Sequence, residues 1–597
     1  MPLDVALANV TPREATIRWL TAFEDALAQG DGDAAAALFL HDGYWRDLVA
    51  FTWHIRTFQG ASAIAAAFNR TVAQIQPTAF RVPDDRMAPS VVSRAGVDTI
   101  EAIFTFETAH GNASGVVRLV PDPVSPGELR AWILATTLED LSKHGIVEGV
   151  QVAADAYSRD FGGENWLDKR LKTQAFENRE PAVLVVGAGQ AGLGVAARLG
   201  ALGVDTLLID RHERVGDNWR KRYHSLTLHN EVHVNHLPFM PFPKTFPVFI
   251  PKDKLANWFE AYAECMELNV WTGTELVGGD YDDDAGHWTV RLRKTDGTER
   301  IVKPRHVVFA VGVSSMPVMP DIAGLDTFAG PVVHSGAYTD GHDWKGRKAL
   351  VLGTGNSAHD VAQDLHASGA DVTMVQRNTT YIVSLREAQK VYAIYNEGPS
   401  VDDCDLISTA APYNFLIQAY KQSTAEMKAA DKPLLDGLTA RGFRLDFGGE
   451  DETGFQMKYL RRGGGYYFNV GCSDLIVDGR VKVIHYQDID RFVPEGAHMK
   501  DGSVTSADVV VAATGYLNQQ EVVRAYMGDA IAERTGQVWG FDTGGELANM
   551  WKRTPQPGIW FTAGSLAQCR IFSKYLALQI AAIEAGLMPK ALEESGG

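Results

Sequence analysis

The sequence predicts an α/β protein: two nested units built on parallel sheets, preceded by a separate α+β unit. Three observations carry this. From Pro181 onward, apolar strands alternate with helical patterns, the mark of parallel βαβ units. A strand, glycine turn and helix occur together twice, at Gly187 and at Gly353. The first 150 residues instead read as helices followed by several strands. The 597 residues allow about four folding units at roughly 150 residues each. With 56 basic and 74 acidic residues, the net charge of −18 argues against nucleic-acid binding, which needs a basic face. It also argues against docking on anionic membranes. No run of 18 apolar residues predicts a membrane span, and the start MPLDVALANV lacks a signal-peptide layout. The four cysteines show no CxxC or zinc spacing, so neither a disulfide scaffold nor a metal site is expected. A cytoplasmic location follows as the expectation.

In the first unit (1–150), Ile17, Leu20, Phe23, Ala26 and Leu27 give Thr11–Gln29 a helical period. Gly30-Asp31-Gly32 breaks it, and Asp33 is expected to cap a second helix reaching Phe39. Thr99–Ala109, Gly115–Val120 and Ala131–Leu138 read as strands. This order, with the segment Asp42–Phe58 (DGYWRDLVAFTWHIRTF), resembles the NTF2-like, or SnoaL-like, cone. Such cones enclose small-molecule pockets or build dimers, so docking or structural duty is implied for Tyr44, Trp45, Arg46, Asp47, Trp53, His54 and Arg56. Residues 151–180 are polar and read as a linker carrying a short helix.

Ala182–Val186 is an apolar strand leading into Gly187, Ala188, Gly189, Gln190, Ala191 and Gly192 and the helix Leu193–Leu202. The glycines allow a tight turn and close approach of backbone to a pyrophosphate, and the helix N-terminus offers N–H groups to phosphate. The next strand, Asp205–Ile209, ends at Asp210, placed to accept ribose hydroxyls, beside Arg211. This is a Rossmann-like dinucleotide site. The second copy is Lys348–Leu352 with Gly353, Gly355, Asn356, Ser357 and, in place of the third glycine, Ala358. Its following strand, Asp371–Gln376, ends in Arg377, where an acid would repel a 2′-phosphate and an arginine attracts it. FAD is therefore assigned to the first site and NADPH to the second. The domain division is 181–330 for the FAD unit, 331–510 for the NADP unit with a helical insertion, and 511–597 for the return to the FAD unit.

Three further segments narrow the class. Phe328 to Tyr338 reads FxGxxxHxxxY through Gly330 and His334 and resembles the fingerprint of class B flavin monooxygenases. Val509–Tyr516 (VVVAATGY, with Thr514 and Gly515) resembles their late ATG strand, which returns toward the first dinucleotide unit; Val307–Gly312 is a looser copy. Gly216-Asp217-Asn218-Trp219 through Pro243 resembles the flavin side of flavin-containing monooxygenases and plant indole-pyruvate monooxygenases. Thr339-Asp340 after the fingerprint, and Tyr338 where Baeyer–Villiger members carry Trp, leave the subclass open.

The resemblance implies that NADPH reduces FAD, that reduced flavin takes up O₂ as a C4a-hydroperoxide, and that one oxygen atom passes to a small nitrogen, sulfur or 2-oxo-acid substrate. It also implies that His334 organises NADP and that Asn230, with His229 as its rival, faces the reaction centre. Asn218 and Trp219 are implied on the flavin side, and Gln568, Arg570 and Ser573 at a later flavin-side segment. The aromatic residues Tyr381, Tyr392, Tyr395, Tyr413, Phe415, Tyr466, Tyr467 and Phe468 either line a substrate channel or pack a helical subdomain. Baeyer–Villiger oxygenation, peroxide-releasing NAD(P)H oxidation and a redox-sensing scaffold stay open, as does assembly into a homodimer. A disulfide reductase is excluded, because it needs a close cysteine pair.

Overall fold

Local capping sets the N-terminal unit in order. In the computed structural model, which describes residues 3, 10–125, 127–149 and 161–588, Thr11 and Glu14 form a reciprocal capping box on the helix Pro12–Ala28. The second helix, Gly32–Ala36, is shorter than expected. Asp31 rather than Asp33 caps it, accepting the Ala34 N–H at 2.8 Å. Phe39 already belongs to β1 (Phe39–Leu48), followed by β2 (Ile55–Gln59), the helix Ala61–Ile75, β3 (Thr78–Arg81), β4 (Ser90–Arg94), β5 (Val97–Glu107), β6 (Asn112–Pro121) and β7 (Leu129–Leu138). The sheet runs β2-β1-β7-β6-β5-β3, with β4 on β5; β1 and β7 are parallel and the other pairs antiparallel. The expected strands Gly115–Val120 and Ala131–Leu138 fall within β6 and β7, and Thr99–Ala109 overlaps β5 but overruns its end at Glu107 by two residues. Trp45, Phe23, Phe68, Phe104 and Phe106 fill the space between helices and sheet. Of the expected linker, residues 151–160 lie outside the described residues, and the rest carries the helix Trp166–Ala175.

The first parallel sheet contains β8 (Val183–Val186), β9 (Thr206–Ile209) and β10 (Val270–Trp271). An antiparallel excursion, β11 (Thr274–Asp282), β12 (His287–Lys294) and β13 (Glu299–Val302), precedes β14 (His306–Phe309). The second parallel sheet contains β15 (Val332–His334), β16 (Lys348–Leu352) and β17 (Asp371–Gln376). The helical insertion lies between β18 (Tyr381–Ser384) and β19 (Tyr466–Asn469), which pair with each other. The second sheet is completed by β20 (Lys482–His485) and, after the hairpin strands β21 (Ile489–Val493), β22 (Gly496–Met499) and β23 (Val504–Ser506), by β24 (Val509–Ala512). β25 (Ile559–Phe561) then joins the first sheet. The orders are β10-β9-β8-β14-β25 and β15-β24-β16-β17-β20, parallel throughout. This is the doubly wound arrangement, present twice. β24 lies inside the second sheet, where β14 lies in the first, so the two segments resembling ATG strands hold matching positions. The chain returns to the first sheet later, at β25.

The N-terminal unit docks on the insertion. Leu406, Ile407 and Ala410 of the helix Val401–Ala410 pack against Ile103, Val116 and Ala135. Ala411 and Phe415 pack against Ile133. Arg46 reaches across to Glu546 at 2.6 Å, both side chains only 3% exposed. Arg86 pairs with Asp403 at 2.7 Å, and Lys574 pairs with Glu139.

Candidate active site

Both glycine turns are shaped for close backbone approach. Gly187 has φ +107°, and a Cβ there would sit 2.8 Å from the Ala310 carbonyl oxygen; one on Gly192 would sit 1.9 Å from the Gly187 carbonyl oxygen. The helices that follow, Gln190–Ala201 and Asn356–Ala367, begin at Gly189 and Gly355 with no side-chain cap. Their first N–H groups are thus left for a ligand's phosphates. Both helices start inside the glycine motif, three residues earlier than expected for the first.

The first turn fits FAD. Asn218 sits against Gly189, where a Cβ would meet its amide nitrogen at 2.8 Å, and its buried Oδ1 has no partner. Asp210 lies at the end of β9, but its carboxylate already accepts the N–H of Ala188 at 2.7 Å and of His212 at 2.8 Å. It braces the turn while keeping acceptor positions to spare. Arg211 is exposed, and Ala191 is buried in the helix. Gln190 accepts the Trp219 indole N–H at 3.2 Å and donates to the Gly564 carbonyl. The second turn fits a phosphorylated nicotinamide nucleotide. Arg377 stands exposed one residue beyond β17. Asn356 is fixed by the Phe468 N–H at 3.0 Å, and Ala358 is buried.

A single cavity of about 850 Å³ joins these turns. Gln190 and Trp219 line it from the first unit, Asn356, Ser357 and Asp360 from the second. His229 and Asn230 are both on its wall, which leaves the choice between them to chemistry rather than to placement. Of the eight insertion aromatics, Tyr392, Tyr395, Tyr413, Phe415, Tyr466 and Phe468 line it. Tyr381 and Tyr467 are packed in cores instead. Gln568 is on the wall and accepts the Tyr459 hydroxyl at 2.8 Å. Arg570 and Ser573 are not. Arg570 ties Asp405, bonded at 2.6 and 2.8 Å, to the carbonyls of Val234 and His236.

The fingerprint residues sit outside the cavity wall. Nδ1 of His334 accepts the Gly336 N–H, so Nε2 carries the proton and donates to the Gly515 carbonyl at 3.1 Å. Burial lowers its pKa, keeping the ring neutral. The same carbonyl accepts the Val318 N–H, and the Thr514 hydroxyl donates to the Val318 carbonyl at 2.5 Å. His334, Thr514 and Gly515 therefore clamp the crossover between the two units. Tyr338 donates to Asp364 on the helix Asn356–Ala367 at 2.6 Å.

Sequence reasoning missed a cluster at the wall. Tyr223 donates to Asp360, and His229 Nε2 lies 3.8 Å from the same carboxylate. Burial raises the pKa of Asp360. It also missed Arg94 and Arg118 of the N-terminal unit, which reach the cavity. An arginine inside the apolar run Gly115–Val120 was a usable signal.

Two parallel sheets, two uncapped glycine turns and one shared chamber define a two-nucleotide flavoprotein. A family model described as pyridine nucleotide-disulphide oxidoreductase matches residues 184–394. The four cysteines, Cys265, Cys404, Cys472 and Cys569, are free and lie far apart in sequence, without the close spacing of the redox dithiol that such reductases use. The rice (Oryza sativa subsp. japonica) indole-3-pyruvate monooxygenase YUCCA1 is 30% identical over 59% of this chain and 80% of its own length. The probable indole-3-pyruvate monooxygenase YUCCA4 of Arabidopsis thaliana is 32% identical over 56% and 75%. Cyclohexanone monooxygenase from Rhodococcus sp. Phi1, solved with NADP⁺, shares the fold with TM-score 0.51 at 18% identity, over 68% of this chain and 85% of that one. The chain belongs to the class B flavin monooxygenases, the FAD- and NADP-dependent oxidoreductases that these relatives represent. Among the described residues, no helix is long and apolar enough to cross a membrane.

Proposed function

We propose that the chain oxidises NADPH and inserts one atom of O₂ into a small organic substrate held in the shared chamber, with nitrogen, sulfur or 2-oxo-acid centres as the candidate classes. The observation that carries this is the chamber itself: both nucleotide turns and the aromatic insertion open into one space. The similarity to indole-3-pyruvate monooxygenases supports the 2-oxo-acid arm. The unpaired cysteines suit a reducing, cytoplasmic setting.

When bound, FAD supplies the redox and oxygen-activating chemistry. The protein's own residues do the rest. Gly187–Gly192 with Asn218 hold the FAD pyrophosphate region, and Gly353–Ser357 with Arg377 hold the phosphorylated reductant. Trp219 and the insertion aromatics exclude water from the chamber. The Asn230 amide offers both donor and acceptor to a reacting oxygen. His334 acts at a distance, by fixing the crossover through Gly515.

The test is turnover by the yellow, FAD-loaded protein with an amine, a thioether, a ketone and a 2-oxo acid. Stoichiometric NADPH consumption and oxygenated product, with little free peroxide, is the expected result. Peroxide matching all the NADPH consumed, with every substrate, would replace this reading by an oxidase. A lactone or ester from the ketone alone would replace it by Baeyer–Villiger chemistry.

A further inference from the structure

The N-terminal unit reaches the chamber through Arg46, Arg94 and Arg118. These three are not equivalent. Arg46 is fully engaged: Nε and Nη2 bind both oxygens of Glu546 at 2.8 and 2.6 Å, and Nη1 binds the Thr409 carbonyl at 2.7 Å. Arg94 and Arg118, by contrast, share one carboxylate. Arg118 faces Glu101 across the β5–β6 pair and bonds it at 2.7 Å; Arg94 bonds the same Glu101 at 2.5 and 2.9 Å. Beyond this, Arg118 has one long bond, to the Ile407 carbonyl at 3.3 Å.

Two guanidinium groups against one carboxylate leave one positive charge in excess. Arg118 is only 4% exposed, so water cannot disperse that charge well. Burial outweighs the attraction of Glu101 and lowers the Arg118 pKa below the usual arginine range. Glu397 on the cavity rim is exposed and stands beyond salt-bridge reach of both arginines, so its charge acts on Arg94 only from a distance and leaves the buried Arg118 with Glu101 alone. A buried cation with an incomplete counter-charge is costly unless an anion completes it. Tyr392, Tyr413, Phe415 and Tyr420 are also on the chamber wall, surfaces for an aromatic ring.

We propose that Arg94 and Arg118 form the anion-binding end of the substrate chamber, so that the N-terminal unit selects aromatic carboxylates for the flavin site. A monoanion matches the single excess charge, and the planar fork of arginine matches a carboxylate. Arg46 and Glu546 fix the unit in place and take no part in recognition. The inference rests on the chamber being the substrate site proposed above.

The experiment is calorimetric titration of the FAD-loaded full chain with 3-phenylpropanoate and with its neutral isostere 3-phenylpropanamide. The wild type is expected to bind the acid at least about tenfold more tightly than the amide. Arg118→Gln and the more exposed Arg94→Gln should each weaken acid binding about tenfold and leave amide binding within about twofold, with Arg118→Lys recovering part of the loss. Equal affinities in the wild type, binding of neither probe, or parallel losses for acid and amide overturn the inference. Selective acid binding by a protein that only releases peroxide would retire the oxygenase reading and leave this one standing. Oxygenation without acid selectivity would do the reverse.

Discussion

Arg377 was legible because its evidence is local: strand, glycine turn, helix, strand and terminal charge lie within thirty-odd residues. The structure leaves that guanidinium exposed beyond β17, at the edge where the expected nucleotide ends. Arg377→Ala is expected to raise the NADPH KM by about 10- to 100-fold while leaving the NADH KM within about twofold. Steady-state kinetics with both coenzymes checks this, and an unchanged coenzyme ratio would remove the 2′-phosphate assignment. The fingerprint histidine teaches the opposite lesson. The motif singles out His334, but only the fold shows that it grips the Gly515 carbonyl rather than facing the chamber. Arg118 shows why other site residues escaped. Its partner Glu101 is on a neighbouring strand, its chamber is formed by distant segments, and no spacing rule joins them.

Strands buried on both faces read most clearly. β16 and β17 match their sequence bounds residue for residue, because each is an apolar run closed by glycine or charge. The half-exposed edge strand β4 lacks such a pattern and was not anticipated. The helix Leu566–Glu584 shows how an element's two ends can be fixed by different means. Ser565 and Gln568 form a capping box at its start. At its finish stands an acid, Glu584, which the helix dipole disfavours there. Partial burial acts to raise its pKa, but hydrogen bonds from Arg305 and His306 prevail and bring it down to about 2. The folded value lies below the unfolded one near 4.5, so the stabilisation is complete above that pH and is lost as pH falls toward about 2. Urea unfolding should therefore show stability declining between these values. Glu584→Gln should be less stable near neutrality and show a shallower acid decline; an identical acid limb would refute the assignment.

Across the whole molecule, the docking of the N-terminal unit was the least legible feature, since Arg46 and Glu546 are 500 residues apart. Arg46 reads as a docking candidate, but nothing in the sequence marks Glu546 as its partner until the fold buries both. Breaking one side of such a pair strands a charge in the interior. Arg46→Met is expected to cost about 3–5 kcal/mol, and Arg46→Met/Glu546→Leu to regain much of it. Scanning calorimetry should show the single variant's N-terminal unit melting ahead of the rest; a trace like the wild type's would show that the pair contributes nothing. The topology also orders events during synthesis. β14 is made long before β25, its outer neighbour, which emerges only after the entire second unit. At about 5–20 residues per second, the nascent flavin unit waits on the order of tens of seconds with the edge of β14, a strand wholly buried in the finished fold, exposed. During that interval a chaperone, or another nascent copy, can take the place that β25 will later fill.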